Sequence, residues 1–252
     1  MNTFDTKYGK ISLYKNELFI AQPFKNGNYW DLDTMKKLKQ YINPNKNILE
    51  IGAHAGTSSL VYASFLNTDQ KLHAYEPQKN MFKILTHNIY QNNLTDKIIA
   101  HNDGIFCYNG SGKMNDIDID GCGGNVLKRY TSESNDGCNF GGISLGSCGE
   151  DINLVTIDSL NLTDIGFIHC DAQGSEPFIF SKSLETIKSN RPVILYENID
   201  LYGRHLYNIV CKSYPQFITE SQFDLKKYCM SELKYSKYID RFNGGIDTLL
   251  IP

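Results

Sequence analysis

The sequence lacks most of the features that mark a secreted, membrane-bound or nucleic-acid-binding chain. Its first ten residues, MNTFDTKYGK, carry no charged-then-apolar signal pattern, and no apolar run reaches membrane-spanning length. Basic residues give no excess: the net charge is −3 and the pI near 6.1, whereas a broad nucleic-acid surface needs a strong positive balance. The seven cysteines are odd in number, follow no disulfide framework and include no C-x-x-C pair. They read as reduced thiols in a cytoplasmic protein, in which the N-x-S match at Asn109 has no meaning. Both the dinucleotide fingerprint G-x-G-x-x-G and the phosphate loop G-x-x-x-x-G-K-[ST] are missing. What is present is a chain of 252 residues, 41% hydrophobic and 21% charged, enough to bury the core of one α/β domain.

That domain is organised around Asn47 to Leu60, NILEIGAHAGTSSL. The apolar residues Ile48, Leu49 and Ile51 predict a buried parallel strand carrying Glu50 near its end. Gly52 and Gly56 then permit a sharp turn and a close approach of backbone to ligand. Thr57 and Ser58 open a helix whose free N–H groups suit a carboxylate or phosphate.

Around this unit the pattern predicts a hairpin turning at Lys15-Asn16 and a helix from Asp31 to Ile42, capped by Asp31 or Asp33. Strands follow at Lys71 to Tyr75 and Lys97 to Ala100, separated by a helix with Met81, Phe82, Leu85 and Ile89 on one face. From Ile105 to Glu150 the rhythm gives way to Gly, Asn, Ser and Asp, an irregular insert of the kind that is often functional. Strands resume at Leu154 to Ile157, Ile165 to Cys170 and Val193 to Tyr196, with a helix over Glu176 to Lys188 and a last strand at Ile246 to Ile251. The alternation specifies a doubly wound, mostly parallel sheet, whose ligands sit at the carboxyl ends of its strands. Those ends carry Glu50, Glu76, Asp103, Asp171 and Glu197. The expected organisation is a single domain: 1–46 hairpin and helix, 47–104 and 151–200 cofactor core, 105–150 insert, 201–252 acceptor-side segment.

The glycine loop and the acid closing the next strand discriminate among nucleotides. Glu76 is placed to accept hydrogen bonds from both ribose hydroxyls. Glu50, beside the loop, suits a ligand bearing an ammonium group rather than a pyrophosphate. S-adenosylmethionine has both ends.

Three stretches in order resemble the FkbM family of S-adenosylmethionine-dependent methyltransferases. ILEIGAHAG is similar to the family's D-x-G-A-N-x-G, with Glu50 for Asp and His54 for Asn. AYEPQKNMFKILTHNIYQNNL is similar to F-E-P followed by N-x-x-x-N-N, keeping Glu76, Pro77, Asn88, Asn92 and Asn93. HCDAQGSE and RPVILYE resemble K-x-D-x-E-G-x-E and the strand after it, keeping Asp171, Gly174, Glu176, Arg191, Pro192 and Glu197. Lysine is replaced by His169 and a glutamate by Gln173. The resemblance spans roughly residues 27 to 200 and implies a class I, Rossmann-like methyltransferase fold. It also implies O-methylation of a hydroxyl, on a sugar such as a deoxyhexose, a glycan or a natural product. RNA 2′-O-methylation, and a silent S-adenosylmethionine-binding scaffold, are the alternatives.

On this reading Glu50, Gly52, Ala53, His54, Gly56, Thr57, Ser58, Glu76 and Pro77 surround the cofactor. Asn102, Asp103 and Gly104 face its adenine, and Asp171 and Gln173 complete the site. Asp171 is a candidate base, ligand of the cofactor's amino group or metal ligand; His169 is expected to pass a proton through it, Glu197 is a second base and His205 a weaker one. No metal is predicted: Asp116-Ile117-Asp118-Ile119-Asp120-Gly121 starts like a calcium loop, but Leu127 stands where the acid is required. The expected partners are a small-molecule or glycan acceptor, with no nucleic acid and no membrane, and a homodimer is the default assembly.

Overall fold

The computed structural model describes residues 1–131 and 136–252. Its first two strands, β1 (Asn2–Thr6) and β2 (Gly9–Leu13), form an antiparallel hairpin. The turn lies at Lys7-Tyr8, earlier than the expected Lys15-Asn16, because Thr6 Oγ1 accepts from the Tyr8 N–H (3.1 Å) and donates to the Gly9 carbonyl (2.6 Å). Asn16 instead anchors the insert, donating from Nδ2 to the carbonyls of Arg129 (3.0 Å) and Asp136 (2.9 Å). A helix at Leu32–Leu38 and a short 3₁₀ turn at Lys39–Tyr41 lead into the main sheet.

Strands β3 (Asn47–Ile51), β4 (Leu72–Tyr75) and β5 (Ile98–His101) are parallel and adjacent, linked by helices at Thr57–Ala63 and Lys79–Gln91. Four further strands make a separate sheet: β6 (Asp103–Ile105), β7 (Gly110–Met114), β8 (Leu145–Gly146) and β9 (Asp151–Val155), in the order β6-β9-β7-β8. The strand expected at Leu154 to Ile157 therefore lies at β9, beside the insert rather than in the main sheet. The chain returns with β10 (Ile165–Cys170) and β11 (Val193–Glu197), then closes with β12 (Lys237–Asp240) and β13 (Asp247–Ile251). The seven-stranded order is β12-β13-β11-β10-β3-β4-β5, with β13 antiparallel to both its neighbours.

Alternation divides the buried strand residues between two cores. Ile48, Phe167, Leu195 and Leu249 join one; Leu49, Ile168, Ile194 and Leu250 join the other. A sheet covered on both faces needs apolar side chains on both, which explains the unbroken apolar runs in sequence. The helix expected over Glu176 to Lys188 is two, Glu176–Phe180 and Leu184–Asn190. The hydroxyls of Ser181 and Ser183 donate to the carbonyls of Phe178 (2.7 Å) and Phe180 (2.8 Å), and such local bonds compete with a continuous helix. Strand succession runs outward from β3 to β4 and β5 on one side and from β10 on the other. The crevice for a ligand opens at the carboxyl ends of β3 and β10, where the order reverses.

Candidate active site

At that crevice lies a cavity of about 650 Å3, within the range of small-molecule sites. One end is built by the two stretches singled out in sequence. Gly52 and Ala53 turn the chain after β3, both N–H groups donating to the Tyr75 carbonyl at 3.0 Å. Glu76, only 2% exposed, lines the cavity. One carboxylate oxygen accepts from the His54 N–H and the other from the Gln78 N–H, each at 2.8 Å. Its orientation is thus set by backbone, while each oxygen keeps a lone pair for a ligand. Burial pushes its pKa up to about 7, against the pull of those two N–H groups.

The loop glycines have a further reason to be glycine. Gly52 has φ +82°, and a Cβ there would stand 1.9 Å from the Asp171 carbonyl oxygen. The Asp171 N–H in turn donates to Ile51 O at 3.0 Å, so β3 and β10 meet backbone to backbone under the cavity floor. Gly56, also at φ +82°, sits against Leu85 of the helix Lys79–Gln91 and does not line the cavity. Of the two glycines expected to approach a ligand, Gly52 lines the cavity, whereas Gly56 serves helix packing.

Several other expected residues also lie off the cavity. Ala53, Thr57 and Ser58 are behind the turn: Thr57 is buried with its carbonyl accepting the Tyr29 hydroxyl (2.7 Å), and Ser58 donates to Glu50. Glu50 is fully buried beneath the loop, where Ser59 Oγ also donates to it at 2.5 Å, so it meets protein hydroxyls instead of a ligand ammonium. His169 points to the same buried group, with Nδ1 3.8 Å from Glu50 and 3.5 Å from the Tyr62 hydroxyl. Burial opposes its charge, yet the nearby carboxylate of Glu50, followed by those of Asp171 and Asp247, holds its pKa above the ordinary value. It stands beside Glu50 and does not line the cavity. Asn102 donates to the carbonyls of Glu76 (2.9 Å) and Pro77 (3.1 Å), and Asp103 accepts from Asn153 (2.8 Å). Neither faces the cavity; Gly104, Ile105, Met114, Ile143 and Leu145 provide its apolar wall.

The other end is acidic. Asp171, Glu197 and Asp247 come from the ends of β10, β11 and the start of β13, joined by Asp31 and Asp120. Asp171 Oδ1 accepts from Gln173 Nε2 at 2.5 Å, and burial raises its pKa although His169 and Gln173 pull it down. Glu197 is 4% exposed with Oε2 unpartnered, and burial followed by the charges of Asp171, Glu176, Asp247 and Asp120 pushes its pKa far up. Asp247 is raised to about 7 by burial, against the pull of His169. His54 completes the lining with φ +50°, and burial lowers its ring to a pKa of about 3 with both nitrogens unpartnered.

Sequence reading missed Asp31, Asp120 and Asp247. Asp31 was expected to cap a helix; it occupies the cap position without a capping bond and lines the cavity instead. Asp120 belongs to the calcium-like run, where it accepts from the Tyr202 hydroxyl and meets His205 Nε2 at 2.6 Å. Its neighbour Asp118 accepts the N–H groups of Cys122 (3.1 Å) and Asn139 (3.0 Å), so the run anchors the insert. Gln78 fastens the insert from the other side, donating to Phe140 O (2.9 Å) and accepting from Tyr130 (2.7 Å). Among the described residues no group of three or more His, Cys, Asp or Glu is arranged to hold a metal ion, and no helix is long and apolar enough to cross a membrane.

No protein-family model matches the chain, and no curated protein matches it. Solved structures do. One is the methyltransferase FkbM from Methylobacillus flagellatus KT, 12% identical, aligned over 92% of this chain and 60% of that one, TM-score 0.50. This chain thus spans about 60% of the length of that protein. Another is an O-methyltransferase from Bacillus cereus in complex with SAH, 14% identical over 95% and 84% of the two chains, TM-score 0.46. A third is TomG from Streptomyces achromogenes, an O-methyltransferase in complex with SAM, 13% identical over 96% and 91%, TM-score 0.46. The chain has the class I methyltransferase fold, and within it resembles FkbM.

Proposed function

We propose that this cavity binds S-adenosylmethionine and that the chain transfers its methyl group to a hydroxyl of a sugar or glycan. The observation that carries the reading is Glu76: a buried carboxylate at the end of β4, beside the Gly52 turn, fixed by two backbone N–H groups and open to the cavity. A carboxylate so placed in a doubly wound fold accepts ribose hydroxyls. The apolar wall of Ile105, Met114, Ile143 and Leu145 suits a purine ring.

Bound there, S-adenosylmethionine supplies an electrophilic methyl group on a sulfonium leaving group. Transfer to an acceptor hydroxyl would form the oxygen–carbon bond as the carbon–sulfur bond breaks to leave a neutral thioether, and would need a carboxylate to take the hydroxyl proton. Asp171, oriented by Gln173 at the end of β10 beside β3, is the candidate for that role, with Glu197 one strand further on at β11. Burial raises the pKa of both, so each is a stronger base in its ionised form. Among the described residues the cavity has six lining carboxylates and no lining Lys or Arg, which fits the RNA alternative poorly, because a phosphate backbone is recognised by positive charge.

The test is S-adenosylhomocysteine formation from S-adenosylmethionine, with and without EDTA, against glycosides, nucleotide-sugars, small phenols and capped RNA. The expected result is product with a sugar, unaffected by EDTA. Product with RNA would reverse the acceptor assignment, and cofactor binding without turnover on any acceptor would favour a scaffold.

A further inference from the structure

The acidic end of the cavity exceeds what methyl transfer to a neutral sugar needs. Sheet order separates it from the cofactor end: Glu76 closes β4 on one side of β3, while Asp171, Glu197 and Asp247 stand on β10, β11 and β13 on the other. Glu197 and Asp247 are direct partners in the antiparallel ladder, and like charges so placed destabilise a sheet. No Lys or Arg lines the cavity among the described residues, and none lies within 4 Å of Asp31, Asp171, Glu197 or Asp247. Glu197 sharpens the point: only 4% exposed, it lines the cavity, and its buried Oε2 has no hydrogen-bond partner. Buried carboxylates without partners are costly, so their retention calls for a ligand that pairs with them. S-adenosylmethionine brings two positive groups and one negative, and His169 draws on Asp171, Asp247 and Asp31, but among the described residues no cation offsets Glu197.

We propose that the acceptor is a cation, a hydroxyl-bearing amine of the amino-sugar class, whose ammonium group sits between Glu197 and Asp247 while its hydroxyl faces Asp171. The proposal rests on the methyl-transfer reading and narrows its substrate class. An ammonium held among carboxylates has no free lone pair, so methylation goes to the hydroxyl. The raised pKa of Asp247, Glu197 and Asp31 fits the same picture, since burial disfavours their charge in the absence of a cation beside them.

Trp30 lines the cavity and is the single tryptophan, so its emission reports occupancy. The full chain is first titrated with S-adenosylhomocysteine by calorimetry and then, saturated with it, with methyl glucosaminide, its N-acetyl derivative and methyl glucoside. The expected result is binding of the amine about ten-fold or more tighter than either neutral glycoside. In Asp247→Asn and, separately, Glu197→Gln, that preference should shrink to about three-fold or less, with the thermal melt reporting folding. Equal affinities, a preference for a neutral glycoside, no saturable binding of the amine, or an undiminished preference in both folded variants would overturn the proposal. Failure of these with S-adenosylhomocysteine still bound removes the cationic acceptor alone. Absence of S-adenosylhomocysteine binding removes the methyl-transfer reading, and the acceptor assignment with it.

Discussion

The two ends of the cavity are built in different ways. The Glu76 end comes from two short stretches, Gly52 to His54 and Tyr75 to Gln78, on adjacent parallel strands. Its carboxylate and the N–H groups of its turn are satisfied by neighbouring backbone: Glu76 by His54 and Gln78, Gly52 and Ala53 by Tyr75, while the His54 ring nitrogens have no partner. The acidic end is gathered from Asp31, Asp120, Asp171, Glu197 and Asp247, residues spread over most of the chain. There the carboxylates face one another, and Glu197 Oε2 has no protein partner. The first end is a preorganised mould, complete before a ligand arrives. The second holds electrostatic tension that only a ligand or a proton relieves.

The largest effect that could break this contrast is at Gly52. An alanine there must escape both the left-handed φ and the Asp171 carbonyl, so Gly52→Ala should lose more than about 3 kcal/mol of stability by urea denaturation. A near-neutral result would mean that β3 and β10 do not meet as described. Next comes Glu76→Ala, which removes a charged acceptor held by backbone. It should weaken S-adenosylhomocysteine binding on the order of 100-fold by calorimetry, and unchanged affinity would remove the ribose assignment.

The tension at the acidic side is read by pH. Glu176, just behind Asp171, accepts from the Ala172 N–H at 2.8 Å with its other oxygen unpartnered, and burial raises its pKa to about 8. A folded-state pKa above the unfolded value means that its stabilising contribution is whole below the unfolded pKa and is lost as the pH rises through about 8. The apo protein should therefore melt lower at pH 9 than at pH 6, and Glu176→Gln should narrow that gap by on the order of 2 kcal/mol. A gap that stays the same in the variant would place the titration elsewhere. The smallest effect is expected at Asp103, which bonds to Asn153 outside the cavity. Asp103→Asn should leave S-adenosylhomocysteine affinity within about two-fold, and a larger loss would return that residue to the site.

The same contrast explains which parts were legible beforehand. Strands β3, β4, β10, β11 and β13 follow from apolar runs ending in polar punctuation, because both faces of a covered parallel sheet need apolar side chains. Glu76 was legible because strand, acid and turn are contiguous. Position along the chain gave no sign that Glu50 and His169 point beneath the loop, since residues two apart on a strand share a face but not a depth. The same limit applies to Asn102 and Asp103, which a neighbouring carbonyl and a neighbouring asparagine hold away from the cavity. The hairpin was misplaced because a Thr-x-Tyr turn closed by one hydroxyl competes with Lys15-Asn16, and the insert claims Asn16.

By itself the sequence determined the α/β alternation, the glycine turn after the first core strand and the acid that closes the second, because each depends on residues a few positions apart. Tertiary structure alone decided which acids share a cavity. The pairing of Glu197 with Asp247 comes from strand register, and the arrival of Asp31 and Asp120 from where a helix start and an insert pack. Charges that meet across such distances in the chain leave no local pattern, since their interaction exists only once the sheet has ordered its strands.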